Sequence, residues 1–136
     1  MSRRMARETV MQVYYQMEIH KEYTSDVARK YIEGVVDNKN DRKYIDNMID
    51  IFIKNKDLID KNINDNLKGW NMERISMIDL SILRIGLCEI LFRHDIPMKV
   101  SINEAIELGK KYGTDDSAAF ISGLLGEVVS KEEYHE

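Results

Sequence analysis

The sequence has little of what staples or interrupts a chain. A single cysteine, Cys88, rules out an intrachain disulfide and fits a reducing, cytoplasmic setting. One proline, Pro97, and seven glycines in 136 residues leave few places for a forced break. Clean apolar–polar alternation between turn clusters is nearly absent, so strands have no support. No apolar run approaches the length of a membrane span, and Met-Ser-Arg-Arg is not followed by the apolar stretch of a signal peptide. His20, His94 and His135 lack metal-ligand spacing with cysteine or acids. There is no P-loop and no G-x-G-x-x-G. Neither metal, cofactor nor catalytic residue is therefore expected. Cys88 with His94 is the one thinkable nucleophile pair, yet Cys88 sits in the most apolar segment and reads as a small core residue. Asp115-Asp116 and Glu132-Glu133 read as capping and solubility features rather than an acid/base pair.

What is present is the composition of a folded domain: 43% apolar and 32% charged residues. Residues 1–136 are read as one domain, large enough for a core. The net charge of −4 argues against a general polyanion binder. The apolar periodicity predicts an all-α fold. A first helix spans Arg3 to His20, and Thr24-Ser25-Asp26 caps a second that ends near Asp37. A third carries Tyr44, Ile45, Met48, Ile49 and Phe52 on one face. A fourth, around Leu58, Ile59, Ile63 and Leu67, ends near Gly69. Asn71 caps a short helix through Met77, and Asp79 caps the next, LSILRIGLCEILF, which is apolar nearly all round and should be the central buried helix. After Pro97, Ser101-Ile102-Asn103-Glu104 has the form of a capping box with Val100 as its staple. The helix it opens should end on a left-handed Gly113. The last helix starts at Asp115 or Asp116. Ala119, Ser122, Gly123 and Gly126 give it a small-residue side on which another helix could pack closely. Residues 131–136 read as a frayed tail.

Function is legible chiefly at the N-terminus. Arg3, Arg4 and Arg7 face a single acid, Glu8, in the first seventeen residues. Ala6, Val10, Val13 and Met17 mark the buried face. At 100° per residue Arg4, Met11 and Tyr15 fall opposite it, with Arg7 at the flank. Positive charge at a helix N-terminus opposes the dipole, so stability alone would not select it. A basic stripe with an aromatic ring in it suits RNA, phosphates on the arginines and a base on the ring. Phe120 stands at the edge of the last helix's apolar face, one turn after Asp116. It reads equally as a rim core residue or as a stacking platform with Asp116 beside it to accept from a base. Arg84 lies inside the apolar run; it must snorkel, meet a partner or, by default, pair with an internal acid.

Three stretches resemble the family of the bacterial transcription antitermination factor NusB. They are RRMARETVMQVYYQME, ERISMIDLSILRIGLCEIL and DIPMKVSINEAIELGKKYGTDDSAAFISGLLGEV. Ser122 departs from the asparagine usual before the glycine. The resemblance implies about seven helices in two packed helical bundles and no enzymatic activity. It implies binding of boxA single-stranded RNA from the leaders of ribosomal RNA operons, as a heterodimer with NusE, a small-subunit ribosomal protein. It also implies attachment to RNA polymerase to suppress premature termination. By motif match the RNA-facing positions are Arg3, Arg4, Arg7, Tyr15, Glu73, Asp116 and Phe120; Asp79 and Arg84 are candidates for the NusE surface. Glu73 and Asp116 would read base edges. Three or four neutralised phosphates would give a log K against log salt slope of roughly −2 to −3. Two other readings stand beside it: an accessory domain of a ribosomal RNA cytosine methyltransferase, and a protein-only helical adaptor or homodimer.

Overall fold

Ser2 starts the first helix. Its backbone is extended and its hydroxyl accepts from the Met5 amide at 3.1 Å, satisfying one of the orphan donors of α1 (Arg3–His20). The computed structural model describes residues 2–33, 38–69 and 71–135, with side chains described to residue 132. Helix α1 stops where Lys21 turns left-handed, at φ 52°. Thr24 caps α2 (Ser25–Ile32) through its hydroxyl. The expected continuation of this helix toward Asp37 falls at positions 34–37, outside the described residues.

Asn38 caps α3 (Lys39–Asp65) by accepting from the amides of Asn40 and Asp41. The third and fourth helices expected from the sequence are one element. It is kinked at Asn55, whose φ of −124° and ψ of 18° leave the helical region. The Asn55 side chain donates to the Ile51 carbonyl at 2.9 Å, the kind of local side-chain bond that competes with a helix interior. The apolar positions of both halves still share a buried face; only Leu58 is exposed.

A single 3-10 turn (Met72–Arg74) stands where a short helix through Met77 was expected. Helix α4 (Met77–Phe92) then starts three residues earlier than the sequence suggested. Ser76 is its cap, accepting from the Asp79 amide at 3.1 Å, so Asp79 is not the N-cap but lies in the first turn, where a negative charge suits the dipole. Helix α5 (Met98–Tyr112) also starts early, directly after Pro97. Proline holds φ near the helical value and needs no amide partner, so the chain can enter the helix there. The expected capping box is thereby corrected: Ser101 is inside the helix and fully enclosed. Gly113 ends α5 in an extended conformation, φ −92° and ψ −160°, not the left-handed one expected. Helix α6 (Ser117–His135) follows, and the Asp116 carbonyl accepts from the Phe120 amide. Its backbone is helical through His135, and Lys131 donates to Asn66 at 2.7 Å. Residue 136 lies outside the described residues.

Every residue from Leu80 to Ile90 is buried, so α4 is the central helix that its composition predicts. Helices α1 and α3 pack on it, with α2 laid against both of them, and α5 and α6 pack on it and on each other, two bundles sharing one helix. The all-α expectation is met by six α-helices and one 3-10 turn among the described residues, and no helix there is long and apolar enough to cross a membrane. Close approach is made at Gly86 and Gly109, not on α6. A Cβ on Gly86 would lie 2.7 Å from Leu125 Cδ1, and one on Gly109 2.9 Å from Ile121 Cδ1. Among the described residues nothing lies within 4 Å of a Cβ on Gly123 or Gly126, so no described residue packs on these two positions of the small-residue side of α6.

Candidate nucleic-acid interface

The N-terminal turns of α1 send their three arginines in three directions, although Arg4 and Arg7 both reach Glu104, at 3.1 and 3.5 Å. Arg7 goes inward. It is 4% exposed, and its Nε and Nη2 donate to Glu89 Oε2 and Oε1 at 2.8 and 3.1 Å. Tyr44 and Ser101 also donate to Glu89, the latter at 2.8 Å. One buried carboxylate thus ties α1, α3, α4 and α5 together. Burial opposes the charge on Arg7, but the hydrogen bonds and field of Glu89 outweigh it and raise its pKa. The expectation that Arg7 points away from the core is corrected, and so is that for Met11, 3% exposed. The reason is packing: α2, α3 and α4 all meet α1, so its buried arc covers more than half its circumference.

Arg4 goes to α5. It is exposed, and its Nε reaches Glu104 Oε2 at 3.1 Å. One turn on, Glu8 accepts from Lys111 at 2.9 Å and from Tyr112. Tyr15 follows further along the same face, half-buried. Arg3 turns the other way and lays its guanidinium over the Tyr44 ring, 4.3 Å from the centroid.

The remaining candidates lie elsewhere on the surface. Phe120 is half-buried, packs on the core and lines a concavity with Asn66, Lys68, Gly123 and Glu127; Asp116 is exposed at the helix start beside it. Glu73 is exposed and shares a separate hollow with Ile19, Met72 and Ile75 near the far end of α1. From Arg4 to Ile19 is fifteen residues of helix, roughly 22 Å. The structure therefore does not gather these residues into one pocket; it spreads them over a surface, which suits an extended strand better than a small molecule.

Arg84 is buried at 2% exposure and held by two acids. Its Nε and Nη2 donate to Asp60, both at 2.9 Å, and Nη1 donates to Glu18 at 2.6 Å. This is the internal pair expected by default, and it leaves no part of the guanidinium for direct contact with a partner. Burial opposes ionisation of Glu18, but hydrogen bonds from Lys21, Arg84 and Tyr23 outweigh it and bring its pKa down to about 2. Asp79 is half-buried, and its Oδ1 has no hydrogen-bond partner among the described residues. Cys88 is fully enclosed, and burial pushes its thiol up to about 12, so it stays protonated and inert. Among the described residues no group of three His, Cys, Asp or Glu is placed to hold a metal ion.

Sequence reasoning passed over Glu89, Tyr44, Lys43, Arg93 and Lys111. Glu89 carried one usable signal, an acid inside an apolar run, the same signal that marked Arg84. The others look like ordinary solvated or core positions until the helices are packed.

A sequence model of the NusB family matches residues 4–130. A transcription antitermination protein NusB of Ruminiclostridium cellulolyticum is 45% identical over 94% of this chain and 88% of its own length. One of Clostridium novyi is 44% identical over 95% of this chain and 98% of its own. The solved NusB of T. maritima superposes with a TM-score of 0.88 at 30% identity, covering 100% of this chain and 99% of that one.

Proposed function

We propose that this chain, which belongs to the NusB family of transcription antitermination proteins, acts without catalysis, by binding the single-stranded boxA element of ribosomal RNA leaders together with NusE. The observation that carries this reading is the exposed arginine end of α1 on a chain of net charge −4. An acidic protein that concentrates arginine at this end of one helix has a local site for phosphate, not a general affinity for polyanions. Tyr15 and Phe120, both half-buried, are the aromatic candidates for a stacked base. Glu73 and Asp116, both exposed, repel phosphate and so make sense where a base amino group is placed. Arg7 takes a different part, holding α1 in place through Glu89.

The structural likeness adds a fold-level argument. A chain in the solved complex of antitermination factors NusB and NusE with dsRNA superposes with a TM-score of 0.86 at 22% identity, over 95% of this chain and 96% of that one. A basic ribosomal partner would supply the positive charge this acidic chain lacks. Asp79, with its unsatisfied buried oxygen, is the candidate contact for it. Arg84 would act only by bracing α4 beneath. The complex would then join RNA polymerase in the cytoplasm. Similarity along nearly the whole length of the curated relatives supports this reading over an accessory domain of an RNA cytosine methyltransferase.

The test is fluorescence anisotropy with boxA RNA and a scrambled control, with and without NusE. Selective binding that tightens with NusE is expected. No selectivity under either condition, with NusE shown to be folded, overturns the reading and leaves a protein-only adaptor or homodimer as the better account.

A further inference from the structure

The N-terminal end of α1 stands between two hollows, one with its charges balanced and the other with an excess of cations. On the α5 side, Arg4, Arg7 and Lys111 line a hollow of about 200 Å³ with Glu8, Glu104 and Glu107, three cations against three acids. Its cations are already engaged: Arg4 with Glu104, Arg7 with Glu89 and Lys111 with Glu8. On the other side, Arg3, Lys43 and Arg93 line a wider hollow of about 630 Å³, with Asp95 as its one acid among the described residues. Arg93 is committed, donating to Asp95 at 2.9 Å and to Asn47 at 2.8 Å. That leaves Arg3 and Lys43, both exposed, with no acid within ion-pair distance among the described residues.

The ring of Tyr44 forms the floor. Arg3 stacks over it at 4.3 Å and Arg93 at 5.5 Å. Stacking uses the face of a guanidinium and leaves its N–H edges pointing outward, the donor fork that matches phosphate oxygens. Tyr44 itself is 2% exposed and cannot stack on a base. The hollow is therefore built for backbone and not for base reading. The amides of Asn40 and Asn47 on its wall suit phosphate or ribose oxygens.

We propose that the RNA phosphates follow the Arg3–Lys43 side of α1, over the Tyr44 floor between α3 and the end of α4, and not the neutralised Arg4–Glu104 side that the sequence stripe suggests. This rests on the RNA reading above and deepens it. Two phosphates held by Arg3 and Lys43 would contribute roughly −1.4 to the log K against log salt slope, against roughly −2 to −3 for a full arginine stripe.

The experiment measures boxA binding across salt for the full chain with NusE, for the wild type, Lys43→Gln and Lys111→Gln. Circular dichroism shows that each variant is folded; Lys43 is exposed and unpaired, so its replacement should leave the fold intact. Lys43→Gln is expected to weaken binding several-fold at low salt and to shrink the slope by about 0.7, with Lys111→Gln unchanged in slope. An unchanged slope in Lys43→Gln, or a smaller slope in Lys111→Gln alone, overturns the path. Absence of selective binding by the wild type itself overturns the RNA reading, and this arm is read before any variant.

Discussion

Arg7 and Glu89 stand 82 positions apart and meet as a buried, two-bonded ion pair, with Nε to Oε2 at 2.8 Å and Nη2 to Oε1 at 3.1 Å. Arg7 belongs by sequence to a basic stripe and by structure to the frame. Removing one partner of such a pair strands the other charge, which typically costs about 3–5 kcal/mol. Arg7→Ala should lose that much in urea denaturation. Arg7→Lys should recover only part, because an ammonium cannot reproduce the fork. Arg7→Met with Glu89→Leu should stay destabilised, because it leaves the buried hydroxyls of Tyr44 and Ser101 without their acceptor. If Arg7→Ala keeps its stability and loses only RNA binding, Arg7 is a contact residue after all.

A second buried network sets a pH dependence. Glu18 is held near a pKa of about 2 against an ordinary value of 4.5. A carboxylate whose folded pKa is depressed contributes stability above its unfolded pKa and loses it as pH falls toward the folded one. The contribution of Glu18 is therefore complete above about pH 4.5 and fades between there and pH 2. Glu18→Gln should be less stable than wild type at neutral pH, and the gap should narrow steadily through this window in acid. A gap that stays constant from pH 6 to pH 2.5 would mean that Glu18 acts through packing rather than charge.

The two networks also show how far the sequence could be read. The register of α1 was legible because Ala6, Val10, Val13 and Met17 obey one helical period, and all four are fully buried. The internal pairing of Arg84 was legible because a charge in an apolar run has few alternatives. Arg7 was not, because its partner comes from another helix and periodicity carries no tertiary information. Ser101 misled for a related reason. The S-x-x-E pattern is a local signal, and here it competes with Pro97, which starts the helix earlier and turns the hydroxyl inward to Glu89. The surface candidates Tyr15, Glu73, Asp116 and Phe120 could be named from a family motif, but only packing shows that they are spread along a surface. Lys43 and Arg93 gave no sign at all until α3 and α4 brought them to Arg3.

Phe120 separates base stacking from core support. It is half-buried and packed against the core, so Phe120→Ala will lose some stability whatever its role. If one base stacks on it, boxA affinity should also fall by about 1–3 kcal/mol, roughly five- to 150-fold. Phe120→Trp should keep affinity, since the π-face is retained. Anisotropy at a temperature where both variants are fully folded makes the comparison. Equal affinity of the alanine variant and the wild type would return Phe120 to a packing role.

The glycines give a final contrast, because Gly86 and Gly126 both lie on helices and differ in what surrounds them. At Gly86 an added methyl would meet Leu125 Cδ1 at 2.7 Å, at the contact between α4 and α6. Leu125 is itself fully buried and has little room to turn away. Overpacking of this kind typically costs about 1–3 kcal/mol, and the better helix propensity of alanine, up to about 1 kcal/mol, offsets only part. Gly126, on α6, has nothing within 4 Å of the same methyl. There the propensity and the lost freedom of the unfolded chain act alone, so Gly126→Ala should raise stability by about 0.4–1 kcal/mol. Thermal unfolding of the two variants should thus move in opposite directions. If Gly126→Ala is instead destabilising in a concentration-dependent way, the open small-residue side of α6 is covered by a second copy in solution, because only a surface packed in an assembly would notice one methyl group there.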